Sequence, residues 1–107
     1  MAFFELRQYK IRRGKMKEWL KIFDEEIVPF QISKGMVICG SFHGETDDSI
    51  FVWIRRFNNE KERIRLYKTV YQDPHWVSDI SPRVGKLIDR KKIQVQRIVP
   101  NKKSTVQ

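Results

Sequence analysis

Phe3-Phe4-Glu5-Leu6-Arg7-Gln8-Tyr9-Lys10-Ile11 is the stretch on which the reading of this chain turns. Aromatic and β-branched residues alternate with charge at a period of two, the signature of a strand. A strand would place Phe3, Glu5, Arg7, Tyr9 and Ile11 on one face and Phe4, Leu6, Gln8 and Lys10 on the other. Apolar groups occur on both faces. A single layer of helices would therefore cover only half of what needs covering.

Working outward, Arg12-Arg13-Gly14 reads as a turn. A helix follows from about Lys15, because Met16, Trp19, Leu20, Phe23 and Ile27 recur at spacings of three and four. Pro29 predicts a kink or stop, since it lacks a backbone donor and its ring crowds the carbonyl of Glu25. Gly35 then closes the segment. Residues 36–44 and 50–57 read as strands joined by the short polar hairpin Glu45-Thr46-Asp47-Asp48-Ser49. Asn58 or Asn59 caps a helix from about Glu60, with Ile64, Tyr67, Val70 and Tyr71 on its core side. Asp73-Pro74 opens a further helical stretch interrupted at Pro82, and a last strand spans 93–99.

The order strand, helix, strand, strand, helices, strand predicts an α+β fold: a ferredoxin-like βαββαβ antiparallel sheet in the order 4-1-3-2, with helices on one face. The uncovered face is expected to carry Phe, Val, Ile or Trp side chains, an apolar patch of a kind monomers rarely expose. A second copy packed face to face would bury it. In this topology Arg12, Arg13 and Lys15 are expected near Arg90, Lys91 and Lys92 at one end of the sheet. The acidic hairpin is expected at the other end.

At 107 residues there is room for one domain, read as residues 1–100, followed by a loose polar tail over 101–107. No apolar run is long enough for a membrane helix. The first residues lack a basic, then apolar, leader pattern, and Cys39 is the only cysteine; both point to the cytoplasm. Cys39, mid-strand between apolar residues, is expected to be buried and inert. The histidines, His43 and His75, with one cysteine, form none of the usual metal-ligand spacings. No phosphate-binding glycine loop or hydrolase signature occurs.

Glu5-Leu6-Arg7-Gln8-Tyr9, then Gly14-Lys15 leading into a helix with Trp19 and Phe23, resembles the opening of the NIPSNAP family. Pro29, Gly35, Gly40, Phe51-Val52-Trp53 and Asp73-Pro74-His75-Trp76 fall where that family places similar residues. Arg13 departs from the pattern, since related sequences often carry proline before the glycine. The resemblance spans Phe3 to Pro100 and implies a dimeric α/β barrel, a homodimer that could assemble further. It implies little chemistry. The wider superfamily includes cofactor-free monooxygenases, haem-degrading enzymes and lactone isomerases, an analogy of fold alone.

Superfamily enzymes place substrates between the sheet and its helices. The candidates to line such a pocket here are Arg7, Tyr9, Ser41, His43, Trp53, Arg55, Tyr67, Tyr71, His75 and Trp76. Arginine would anchor a carboxylate or enolate, and histidine could exchange a proton near neutrality. Aromatic side chains would supply flat walls with polar edges. The expectation is a small anionic or aromatic ligand, with Arg7, His43 and His75 as catalytic candidates. No cofactor is expected; haem could be held only through His43 or His75, and nothing local specifies it.

Plainer readings stand beside these. Arg7 could serve only an ion pair with a cross-strand partner. Either histidine could be a surface or capping neighbour, and the tryptophans could be core. Two other function classes compete: a non-enzymatic interaction module, whose pocket would be filled by side chains, and a nucleic-acid binder. Seven cations against one acid between Arg7 and Lys21 supply the charge for the last, within a net charge of +9. No exposed stacking motif or helix-turn-helix signal accompanies them, so nucleic acid is the weakest of the three.

Overall fold

A computed structural model describes all of residues 1–107. Four strands, β1 (Phe3–Lys10), β2 (Val37–His43), β3 (Ile50–Phe57) and β4 (Gln94–Ile98), form one antiparallel sheet in the order β2-β3-β1-β4. This is the ferredoxin-like α+β arrangement read from the element order. Helices α1 (Met16–Ile22), α2 (Val28–Ser33), α3 (Glu60–Tyr71) and α4 (Ser81–Val84) accompany it. Every inward position of β3, namely Phe51, Trp53, Arg55 and Phe57, is buried beneath them.

Pro29 does not stop its helix. A π-helical turn over Phe23–Ile27 joins α1 to α2 without a break, and the Val28 N–H reaches back to the Phe23 carbonyl. One extra residue in the turn relieves the clash and the missing donor that proline imposes. The same device recurs at Pro82: a π turn over Trp76–Ile80 leads into α4, and the Ser81 N–H bonds to the Trp76 carbonyl. Gly14 and Gly35 take positive φ, of 75° and 103°, at the turn after β1 and at the end of α2. Asn59 caps α3, its side chain accepting from the Glu62 N–H at 2.8 Å.

Three expectations are corrected. The acidic hairpin lies at the same end of the sheet as the basic turn, not the opposite one. Because β1 and β3 run antiparallel, Lys10 pairs with Ile50, and the Lys10 ammonium donates to Ser49 Oγ at 3.0 Å. The two basic loops do meet at that end. Arg12 donates to the carbonyl of Gly85, and Arg90 to that of Ser81 at 2.8 Å. Cys39 is exposed, because β2 is an edge strand and the ladder slips between Ile38 and Gly40, leaving Cys39 unpaired in a bulge. The tail folds back over the outer face, where Val106 lines a hollow with Phe4, Ile54 and Ile98, and the Gln107 carbonyl accepts from Arg56 Nε at 2.8 Å. No helix is long and apolar enough to cross a membrane.

The core has two parts. Tyr9, Trp19, Phe23, Phe51, Trp53, Ile80 and Ile88 pack together in one, and Phe3, Met36, Phe57, Leu66 and Val70 in the other. Along β1 and β3 a polar row separates them: Glu5 sits opposite Arg55, between the Phe3–Phe57 pair and the Tyr9–Phe51 pair.

Candidate functional site

The polar row is the floor of the site. Arg55 and Glu5 are both fully buried, and a charge so placed must be paired and hydrogen-bonded; of the Arg55 donors only Nε lacks a partner. Arg55 Nη2 donates to Glu5 Oε1 at 3.1 Å and to the Tyr67 hydroxyl at 2.8 Å. Its Nη1 donates to the Tyr71 hydroxyl at 2.7 Å and to Gln31 Oε1 at 3.1 Å. Glu5 in turn accepts the Tyr67 proton at 2.6 Å and Arg63 Nε at 2.6 Å.

Arg7, two residues along the same strand face, donates from Nε to the Tyr9 hydroxyl at 3.2 Å and from Nη1 to the Tyr67 hydroxyl at 3.3 Å. It stands 4.0 Å from Glu5. Three guanidinium groups, of Arg7, Arg55 and Arg63, thus converge on the single carboxylate of Glu5. The cluster is left net positive.

The electrostatics follow. Burial alone would raise the Glu5 pKa, but the Tyr67 hydroxyl, Arg63 and the charge of Arg55 outweigh it, and the carboxyl sits below its ordinary value. Tyr67 is pushed up to about 12, chiefly by burial, against the pull of Arg55. It stays protonated and keeps its bond to Glu5.

Above this floor lies a cavity of about 140 Å³, walled mainly by apolar and aromatic side chains. Of the ten residues expected to line a pocket, Arg7, Tyr9, Trp53, Tyr67, Tyr71 and Trp76 do so. Arg55 lies beneath, holding the hydroxyls of Tyr67 and Tyr71. The π turns deliver part of the wall: Phe23 and Ile27 come from the first and Trp76 from the second.

Ser41, His43 and His75 are not brought to this cavity. Ser41 and His43 pair with Trp53 and Phe51 on the exposed edge strand β2, and His43 Nδ1 lies 3.2 Å from the Gly44 carbonyl. His75 is exposed beside Asp79, at 3.8 Å, with its ring edge against Phe30. A haem in the cavity would meet no imidazole among the lining side chains.

Glu5, Gln31, Trp19 and Arg63 join the site without being among the residues expected there. Two of them carried a readable signal. Glu5 is a carboxylate that shares with Arg7 a strand face otherwise made of Phe3, Tyr9 and Ile11. Gln31 is four residues past Ile27, so it continues the apolar helix stripe with an amide. A polar side chain in a core position needs a buried partner. Trp19 was placed correctly on that stripe, but nothing in the stripe distinguishes a cavity wall from ordinary core. Arg63 precedes Leu66, Tyr67 and Val70 by three, four and seven residues and so shares their face of α3, but an arginine at the start of a helix reads as solvated until its partner Glu5 is known.

A roomier but open groove of about 400 Å³ lies outside, walled by Lys21, Glu26, Arg83 and Lys86. There Arg83 is already paired with Glu26 and Asp79. Aromatic walls and converging polar groups coincide only in the inner cavity.

No curated protein matches the chain in sequence. Solved structures do. A NIPSNAP family protein from Agrobacterium tumefaciens superposes with a TM-score of 0.88 at 25% identity, over 100% of both chains. A NIPSNAP-like domain protein from Burkholderia xenovorans gives 0.85 at 19% identity, over 96% of this chain and 88% of its own. SnoaB, a cofactor-independent oxygenase from Streptomyces nogalater, gives 0.69 at 9% identity, over 99% and 98% of the two chains, and shares the fold alone. The NIPSNAP family profile matches residues 4–102, nearly the whole chain, and the chain belongs to that family.

Proposed function

We propose that the cavity between sheet and helices binds a small planar anion, with Arg7 as its anchor. The observation that carries this is the charge count: three guanidinium groups, one of them also paired with Glu60 at 3.4 Å, surround the Glu5 carboxylate, and Arg7 is the one among them that lines the cavity. A bound anion would offset part of this positive excess at low dielectric. Aromatic walls favour a flat ligand, and about 140 Å³ is close to the size of cavity that takes up a benzene ring. That open volume favours a ligand site over the interaction-module reading, which requires a filled pocket.

The chemistry such a site supports is proton transfer on the bound anion, as in isomerisation or in forming an enolate that oxygen could attack. The hydroxyl of Tyr71, held by Arg55, is the group at hand for it, since the Tyr67 proton is committed to Glu5. SnoaB shows that the fold can host oxygenation without a cofactor; the same activity here is an analogy.

Calorimetric titration with benzoate and benzyl alcohol tests the reading. Benzoate should bind and raise Tm, benzyl alcohol should bind at least tenfold more weakly, and Arg7→Gln should weaken benzoate by a similar factor. Equal benzoate affinity in Arg7→Gln would end this reading.

The outer face of the sheet supports a homodimer. Phe42, Val37 and Ile98 are 59%, 47% and 42% exposed there, beside half-covered Leu6, Val52 and Ile54. A second copy meeting this face would bury the patch.

A further inference from the structure

The cavity's polar groups are almost all donors looking for acceptors. The Tyr71 hydroxyl oxygen accepts from Arg55 at 2.7 Å and from Gln31 at 3.5 Å, while its own proton has no acceptor in the chain. The Tyr9 hydroxyl accepts from Arg7 and likewise donates to nothing. The indole N–H groups of Trp19 and Trp53, both in the cavity wall, are buried without partners. Of the oxygens that could accept, Gln31 Oε1 is engaged by Arg55, Glu5 by Arg55, Arg63 and Tyr67, and the Tyr9 hydroxyl already takes the Arg7 Nε–H. A ligand hydroxyl or amine would find its proton facing other protons, and a buried donor left unmet is costly. A ligand with a second acceptor oxygen beside its anionic group would meet both needs.

Resting on the reading of this cavity as an anion site, we propose that its ligand class is the planar 2-oxo acid. The carboxylate pairs with Arg7, and the conjugated keto oxygen accepts the free hydroxyl proton of Tyr71. A 2-hydroxy acid is discriminated against, because its hydroxyl brings a donor into a wall of donors. Arg55 acts here as a positioning residue, since its Nη1 fixes the Tyr71 oxygen and so turns the Tyr71 proton toward the cavity.

Three compounds of matched size separate the outcomes: phenylglyoxylate, mandelate and phenylacetate, titrated calorimetrically into the intact chain. Phenylglyoxylate should bind about tenfold more tightly than the other two, the worth of one well-placed hydrogen bond. Tyr71→Phe should erase that advantage and leave phenylacetate binding where it was. Arg7→Gln should weaken all three. Equal affinities, all dependent on Arg7, would overturn the 2-oxo acid assignment and keep the anion site. Tighter mandelate, or an undiminished advantage in Tyr71→Phe, would overturn it too. Failure of all three to bind would remove the anion site and the assignment together. The wild-type series decides the matter even if Tyr71→Phe does not fold.

Discussion

Glu5 and Arg55 face each other across the β1–β3 ladder, with Arg55 Nη2 3.1 Å from Glu5 Oε1 and both side chains wholly withdrawn from solvent. The two are not equally replaceable. Without Arg55, Glu5 still holds Arg63 at 2.6 Å and Tyr67 at 2.6 Å; without Glu5, Arg55 has no carboxylate within 4.0 Å. Glu5→Gln should therefore be the more destabilising change, at about 3–5 kcal/mol in urea unfolding, with Arg55→Met costing less. A larger loss for Arg55→Met would contradict the asymmetry.

The pH dependence of stability has two windows. Glu5 has a lowered pKa in the folded chain, so its contribution is fully present above its ordinary value of 4.5 and is lost as pH falls below it. Tyr67 has a raised one, so its contribution is present below 10 and is lost as pH rises through about 12. Unfolding free energies measured from pH 3 to 6 should slope downward toward acid. The slope should be smaller in Glu5→Gln. Phenolate absorbance should show one tyrosine resisting ionisation until about pH 12, and that signal should vanish in Tyr67→Phe.

The histidines lie outside the cavity, His43 on an exposed edge strand and His75 beside Asp79. His43→Ala and His75→Ala should leave benzoate affinity within about twofold of the native chain and stability within about 0.5 kcal/mol. A tenfold loss of affinity in either variant would place an imidazole in the site after all.

The outer sheet face should hold a second copy. Sedimentation should show a dimer, and Phe42→Glu should shift it toward monomer by setting a charge in an apolar contact. A monomer at every concentration would leave Phe42, Val37 and Ile98 in water and refute the pairing.

Much of the architecture was legible because periodicity is a local property. Alternation in Phe3–Lys10 and Ile50–Phe57, and the three-four spacing from Met16 to Ile27, each report a face without knowledge of what meets it. Element order then left one compact, right-handed topology. The hairpin is misplaced by that reasoning, since antiparallel pairing of β1 with β3 sets Lys10 beside Ile50 whatever the side chains are, and Ile64, read onto the core side of α3, is exposed.

By itself, then, the sequence determined the strands, the helices, their order and a sheet apolar on both faces, since all of these follow from spacings of two to four residues. Tertiary structure alone decided that Arg7, Tyr67 and Tyr71 converge while His43 and His75 do not, that Cys39 stands in a bulge, and that π turns carry the helices past Pro29 and Pro82. Those outcomes depend on register and on contacts between residues as far apart as Glu5 and Tyr67, and the energy of such a contact is written in no single stretch of chain.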